Sequence, residues 1–203
     1  MIDRFLLPTL SRSLAPPARV LASAGVSADA ITLAGFAVGL LAAPALAFGW
    51  YGLALALIAA NRLADGLDGA VARLNGPTER GAFLDIALDF FFYATVPLGF
   101  AVADPQANAR AAAFLVTGFV GTGSSFLAFA AAAARKGISS EAYPTKGIFY
   151  LGGLTEGAET IAAFALMCLF PAAFPAIATV FGALCLLTTL TRWLAGWRAF
   201  DGR

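Results

Sequence analysis

The sequence predicts an all-α integral membrane protein with six transmembrane helices and an N-terminal amphipathic helix lying in the membrane interface. Of its 203 residues, 60% are hydrophobic and 12% are charged. This composition and the strongly positive mean hydropathy exclude an ordinary soluble globular protein. The apolar residues form runs long enough to cross a bilayer, separated by short polar connections. Because no internal repeat, low-complexity tract or second domain is visible, residues 1–203 are expected to form a single membrane domain.

The first element is an amphipathic segment. Residues 2–14 carry apolar side chains at helical spacing with arginines between them, which is typical of a helix in the membrane interface. The pattern stops at Pro16 and Pro17, and we assign the interfacial helix to about residues 2–22. The six predicted spans are residues 30–48, 52–73, 81–103, 111–134, 154–170 and 174–197.

The first three spans differ in where their polar residues lie. Span one begins after Ser27 or Asp29, either of which can cap the helix, and Pro44 predicts a kink. Span two is apolar only as far as Ala60, which at about 1.5 Å per residue crosses roughly half the hydrocarbon core. Its polar half, from Asn61 onward, must therefore face protein or a water-filled cavity. Span three has its polar residues first, so both polar halves are expected at the same depth.

The later connections and the small residues complete the predicted architecture. Residues 104–110 are expected to form a polar loop, and residues 135–153 the longest loop. Gly35 and Gly39 form a small-residue face on span one, which serves either packing within the chain or dimerisation. The glycine, serine and threonine residues of span four either pack closely against another helix or line a polar pocket.

The charged residues predict the orientation. Six spans place both termini on one side, which carries all the flanking Lys and Arg residues except Arg110. By the positive-inside rule this side is cytoplasmic, so we expect a multi-pass protein of the inner membrane with cytoplasmic termini. The absence of a basic block argues against nucleic-acid binding, and the absence of histidine excludes His-dependent catalysis and His-ligated zinc. Cys168 and Cys185 lie in apolar runs, which favours two small buried residues over a disulfide.

Four aspartates occur within 25 residues, at positions 65, 68, 85 and 89. At 100° per residue from Asn61, Asp65 falls near about 40° and Asp68 near about 340°, on one narrow helical face. Asp85 and Asp89 share a face of the next helix. The connection of seven residues, 74–80, predicts antiparallel neighbours. The four carboxylates are therefore expected to converge.

Clustered carboxylates at membrane depth need a counter-charge. Hard divalent cations with oxygen ligands supply it, and four aspartates carry about the charge that two Mg²⁺ or Mn²⁺ ions neutralise. With Arg73 beside it, such a site suits a diphosphate bridged to the metals. The small residues Gly69, Ala72 and Gly81 on these faces leave room for a bulky group such as a nucleotide.

The order Asp-x2-Asp-Gly-x2-Ala-Arg, seven residues, then Gly-x3-Asp-x3-Asp resembles the signature of the CDP-alcohol phosphotransferase family, and every fixed position is filled. The resemblance implies a six-helix membrane enzyme that transfers a substituted phosphoryl group from a CDP-linked donor to an alcohol and releases CMP. Homodimers are common in that family. A Pro-Asn pair often precedes the first span of its members, and Ala28 and Asp29 stand there in this chain.

The resemblance also implies roles for individual residues. Asp65, Asp68, Asp85 and Asp89 would bind metal, and Asp89 would also act as the general base. The expected lining of the CDP pocket is Asp65, Asp68, Gly69, Ala72, Arg73 and Gly81. We take CDP-diacylglycerol as the most plausible donor, with the lipid tails remaining in the bilayer.

The acceptor is not identified by the sequence, although four residues are candidates for binding it. Arg62 would contact the donor or acceptor, or form a structural ion pair with an aspartate. Lys146 would attract a phosphate-bearing acceptor or meet lipid headgroups. Glu156 and Glu159 would reach into the cavity, or serve as ordinary acidic partners of a helix N-terminus.

Two other functions also use intramembrane aspartates. Intramembrane prenyltransferases hold a magnesium diphosphate between aspartate pairs, but they have more spans and their acidic motifs lie far apart in sequence. A cation transporter needs carboxylates near the bilayer midplane and gives no reason for the spacing of Gly69, Ala72, Arg73 and Gly81.

Overall fold

The structure is a computed structural model that describes residues 3–136 and 153–201, with side chains from Arg12 onward. In these ranges the regular structure is entirely helical, which confirms the predicted all-α fold class. The α-helices are α1 (Asp3–Ser23), α2 (Ala28–Leu40), α3 (Ala42–Ala47), α4 (Tyr51–Asn75), α5 (Glu79–Ala103), α6 (Pro105–Arg135), α7 (Gly157–Leu169) and α8 (Phe174–Ala199). A 3₁₀ turn, Pro171–Ala173, precedes α8.

Among the described residues, four helical stretches are long and apolar enough to cross a membrane. They are Ala28–Ala47, Glu79–Ala103, Pro105–Arg135 and Pro171–Ala199. α4 is long enough but carries the charged residues of the site, and α7 is apolar but has 13 residues. The chain is thus an integral membrane protein, and the number of six spans stays a prediction.

The first span is broken where the sequence predicts a kink. Pro44 has no N–H to donate to the carbonyl of Leu40, and the helix is interrupted at Leu41, between α2 and α3. Ser27 is the N-cap of α2, because its hydroxyl accepts a hydrogen bond of 3.2 Å from the Ala30 N–H.

The amphipathic pattern of α1 stops at Pro16 and Pro17, but the helix continues to Ser23, close to the assigned end near residue 22. Ala18 is fully buried in a cluster that includes Val71 of α4, so tertiary packing overrides the local signal of the prolines. The predicted start of span four is wrong. Residues 104–110 are not a loop, because the Asp104 carboxylate caps α6 by accepting from the Ala107 N–H at 3.0 Å.

Glycines allow the close approach of α2 to α4 and of α6 to α8. A Cβ on Gly39 would lie 2.9 Å from Cγ of Asn61, and a Cβ on Gly118 would lie 2.9 Å from Cβ of Cys185. Packing within the chain thus accounts for both glycine faces. Two serines of α6, Ser124 and Ser125, also line a cavity of about 290 Å³ beside α8, whose other lining residues are mostly apolar. Cys168 and Cys185 are buried free cysteines, in agreement with the prediction from the sequence.

A phenylalanine core supports the site. Phe92, Phe164 and Phe174 are fully buried, and the ring of Phe100 stacks on that of Phe174 with centroids 4.3 Å apart. These rings join α5 to α7 and α8 immediately after the acidic part of α5. The helix that carries Asp85 and Asp89 is therefore anchored at one end by well-packed aromatic side chains.

Candidate metal centre

Three of the four aspartates meet in space. Asp65 and Asp68 lie on α4 and Asp85 on α5, and one carboxylate oxygen of each lies within 4.8 Å of the other two. The chain reverses between Asn75 and Glu79, where the Thr78 hydroxyl caps α5 by accepting from the Gly81 N–H at 3.0 Å. The predicted convergence of two acidic helical faces is thus what the structure shows for these three side chains.

Side chains rather than close backbone approach join the two acidic helices. α4 and α5 make few close backbone contacts, and α2 lies against both of them. Thr32, Gly35 and Phe36 of α2 consequently line the same cavity as the aspartates. A small cavity of about 10 Å³ therefore lies between α4 and α5, with α2 as its third wall.

Thr32 is a residue of the site that the sequence did not identify. Its hydroxyl donates a hydrogen bond of 2.6 Å to Oδ2 of Asp68. Asp68 is only 6% exposed, so its orientation depends on this partner rather than on bulk water. In the sequence, the role of Thr32 is indicated only by its position one turn before Gly35, on the face of α2 that packs against α4.

The fourth aspartate has a different environment. Asp89 is bound by the guanidinium of Arg62, with Nη2 2.6 Å from Oδ1 and Nη1 3.2 Å from Oδ2. Arg62 Nη1 also lies 3.7 Å from Oδ2 of Asp65. The structural ion pair considered for Arg62 is therefore present, and it ties Asp89 to the edge of the acidic cluster.

The residues expected around the nucleotide lie at the α4–α5 turn end of the cluster. A Cβ on Gly69 would lie 3.4 Å from Nη1 of Arg73, which places that guanidinium beside the open face of Gly69. A Cβ on Gly81 would lie 3.2 Å from Oδ1 of Asp29, whose Oδ2 accepts from Arg80 Nε at 2.7 Å. Asp29 is thus a neighbour of Gly81.

Ala72 is half-buried on α4, three residues after Gly69 and one turn after the buried Asp68. Its small side chain continues the surface formed by Gly69 along α4. This position is compatible with the space that the small residues were expected to leave.

The acceptor candidates are distributed differently. Glu156 and Glu159 form a capping box on α7, in which Glu159 Oε2 accepts from the Glu156 N–H at 3.2 Å. Glu156 Oε1 also accepts from the Gly153 N–H at 3.0 Å. Both residues therefore act as acidic partners of a helix N-terminus, which is the second of the two roles considered for them. Lys146 lies outside the described residues.

The carboxylate set has the chemistry of a divalent-metal site. Three acidic groups this close repel one another unless a cation lies among them. Carboxylate oxygens are the ligands that Mg²⁺ and Mn²⁺ prefer, and the exposed side chain of Asp85 leaves an approach from the cavity. The residues therefore fit divalent cations.

Comparisons with known proteins agree with this geometry. A family model described as CDP-alcohol phosphatidyltransferase matches residues 26–197. The inner membrane protein YnjF of Escherichia coli K12 is 55% identical over 197 residues, which are 97% of this chain and 96% of the relative.

Structures of phosphatidylinositol phosphate synthase PgsA1 from Mycobacterium tuberculosis share the fold. The one with CDP-DAG bound is 21% identical with a TM-score of 0.68, covering 92% of this chain and 94% of its own. The one in complex with manganese and citrate is 21% identical with a TM-score of 0.70, covering 91% and 88%. From the family match and its signature residues, this chain belongs to the CDP-alcohol phosphatidyltransferase family.

Proposed function

We propose that this protein transfers a phosphatidyl group from a CDP-linked lipid, CDP-diacylglycerol, to an alcohol acceptor and releases CMP. The observation that carries the proposal is the convergence of the Asp65, Asp68 and Asp85 carboxylates to within 4.8 Å of one another at a small cavity. The PgsA1 structures with CDP-DAG and with manganese support both the donor and the metal.

The acidic residues divide the work of the reaction. Asp65, Asp68 and Asp85 would hold two divalent ions, Mg²⁺ or Mn²⁺, which supply positive charge to the donor diphosphate. Asp89 accepts the proton of the acceptor hydroxyl as its oxygen attacks the phosphorus on the lipid side. The bond from that phosphorus to the bridging oxygen breaks, and CMP leaves with the electron pair.

The neighbouring residues would bind the nucleotide. Gly69, where an added Cβ would meet only Arg73 Nη1 at 3.4 Å, and the small Ala72 add little bulk on this face of α4, which supports a nucleotide at this end of the cluster. Arg73, beside Gly69, has the charge and geometry to bind a phosphate. The acyl chains of the donor would remain among the lipid-facing helices.

The orientation proposed from the basic residues places this site at the cytoplasmic face of the inner membrane. The Escherichia coli relative is named as an inner membrane protein, which supports the compartment. Cysteine-labelling of single-cysteine variants in right-side-out vesicles would test the side on which the α4–α5 turn lies.

The test is an assay of CMP release from CDP-diacylglycerol by purified protein in lipid nanodiscs. Acceptors are supplied singly, as glycerol 3-phosphate, inositol phosphate, inositol, serine or choline, and the lipid product is identified by mass. We expect one acceptor to support turnover, EDTA to abolish it, and Asp89→Asn to lower kcat at least about 100-fold. Asp104→Asn, an acidic residue that caps α6 outside the site, is the matched control.

Two outcomes would contradict the proposal. Unimpaired turnover by Asp89→Asn would remove Asp89 as the base, and absence of CMP release with every acceptor would remove the phosphatidyl transfer itself. A prenyl diphosphate that stabilises the protein with Mg²⁺ when CDP-linked donors do not would instead favour the prenyltransferase alternative.

A further inference from the structure

The guanidinium of Arg62 is fully engaged within the protein. Nε donates to Oδ1 of Asn61 at 2.8 Å, and Nη2 donates to the same oxygen at 2.6 Å and to Asp89 Oδ1 at 2.6 Å. Nη1 donates to Asp89 Oδ2 at 3.2 Å and to the Tyr93 hydroxyl at 3.4 Å. An arginine has five N–H donors, and these contacts occupy all of them.

Two aromatic rings also hold the guanidinium group of Arg62 in place. Its Cζ lies 5.2 Å from the centroid of the Phe92 ring and 5.5 Å from that of Tyr93. Both rings belong to α5, the helix that carries Asp89. Arg62 of α4 is thus held by aromatic contacts and by a bidentate ion pair to the same neighbouring helix.

Asn61 connects this arrangement to α2. Its side chain is 4% exposed, and Nδ2 donates a hydrogen bond of 3.0 Å to the Gly35 carbonyl. Because the amide nitrogen faces this carbonyl, the amide oxygen must face the guanidinium. Gly39 encloses the amide from the other side, since a Cβ there would lie 2.9 Å from Nδ2. The amide therefore has one orientation in which every contact is satisfied.

We propose that Arg62 and Asn61 are positioning residues for Asp89. Asn61, anchored on the α2 backbone, fixes the guanidinium of Arg62, which in turn fixes both oxygens of the Asp89 carboxylate relative to the metal-binding aspartates. This inference rests on the proposed function, in which Asp89 is the general base. It also removes Arg62 from the candidates for acceptor binding, because a substrate contact would break one of the five hydrogen bonds.

The first test separates positioning from substrate contact. Asn61→Ala and Arg62→Lys are compared with wild type in kcat, in KM for CDP-diacylglycerol, and in Mn²⁺ affinity measured by electron paramagnetic resonance. We expect kcat to fall about 10- to 100-fold, the usual effect of losing a partner that orients a functional group. KM and Mn²⁺ affinity should change less than about threefold, well below the fall in kcat.

The matched control is Asn108→Ala. Asn108 is also buried and donates to a backbone carbonyl, that of Phe100, at 2.9 Å, but it lies at the start of α6 outside the acidic cluster. Its loss should leave kcat unchanged. A raised KM with normal kcat in the two site variants would overturn the inference in favour of substrate binding, and equal kcat losses in all three variants would overturn it in favour of general destabilisation.

A double-mutant cycle tests whether Asn61 acts through Arg62. In the Arg62→Lys background, which lacks the planar two-sided donor set, Asn61→Ala should cost less than about twofold in kcat. If the two substitutions lower kcat independently, so that their fold-losses multiply, the inference that Asn61 acts through Arg62 is contradicted. Arg62→Lys alone keeps the test decisive where Asn61→Ala does not yield folded protein.

The last readout does not depend on turnover. A high-resolution structure of Asn61→Ala should show the Asp89 carboxylate rotated away from its position in the wild type. If the wild type releases no CMP, the proposed function fails while this measurement still judges the positioning role. An unchanged Asp89 in the variant would overturn the positioning inference whatever the activity.

Discussion

The hydrogen bond from Thr32 to Asp68 provides a graded test of the metal centre. Thr32→Val replaces the hydroxyl by a methyl group of similar size and removes a bond of 2.6 Å to Oδ2. Short bonds from a hydroxyl to a carboxylate are charge-assisted, and hydrogen bonds to charged groups contribute about 1.5–3 kcal/mol. Asp68 is 6% exposed, so water does not readily replace the donor.

The expected consequence is weaker metal binding. Without its donor the Asp68 carboxylate loses its fixed orientation toward Asp65 and Asp85, and losing a partner that orients a metal ligand typically lowers metal affinity about 10- to 100-fold. The assay is a titration of the purified protein followed by the resonance signal of free Mn²⁺. The same samples are checked for unfolding temperature, because a merely misfolded variant would also lose metal.

Two controls accompany this measurement. Thr32→Ser keeps the hydroxyl and should retain affinity within about threefold of wild type. Thr117→Val removes a hydroxyl that donates only to the Ala113 carbonyl of its own helix, at 2.9 Å, and should have no effect. Wild-type affinity in Thr32→Val, with normal stability, would refute the reasoning that Thr32 orients a metal ligand.

Three further predictions concern packing and capping. Gly39→Ala introduces a Cβ 2.9 Å from Cγ of Asn61 and should lower kcat about tenfold by displacing that amide; normal initial rates would show that the amide position does not matter. Glu156→Ala removes the capping box of α7 and should lower the free energy of unfolding by about 1 kcal/mol without changing acceptor KM; a raised KM would instead restore Glu156 as an acceptor ligand. Gly118→Leu should separate α6 from α8 and cost about 1–3 kcal/mol, visible as a lower unfolding temperature, whereas an unchanged temperature would contradict the close approach.

The helical elements were predictable because each depends on a local run of apolar residues. A boundary was not predictable where it depends on one polar contact or on tertiary packing. Asp104 starts α6 earlier than hydropathy indicates, since its carboxylate caps the helix. The amphipathic pattern of α1 stops at two prolines, and the helix continues beyond them where Ala18 is fully buried in the cluster with Val71.

The acidic residues were predictable because their spacing fixes one helical face on each of two successive helices. Thr32 and Asn61 were not assigned roles, because those roles arise from the packing of α2 against α4. No periodicity within one helix reveals that the Thr32 hydroxyl reaches Asp68, or that Asn61 lies between the Gly35 carbonyl and Arg62. Such partners require the three-dimensional arrangement.

The central claim is that Asp65, Asp68 and Asp85 together bind divalent cations that hold the donor diphosphate. Anomalous diffraction from crystals grown with Mn²⁺ and a CDP-linked lipid measures this most directly. We expect anomalous peaks at coordination distance from all three carboxylates and from the diphosphate oxygens. Manganese bound elsewhere, or a nucleotide located away from this cluster, would contradict it.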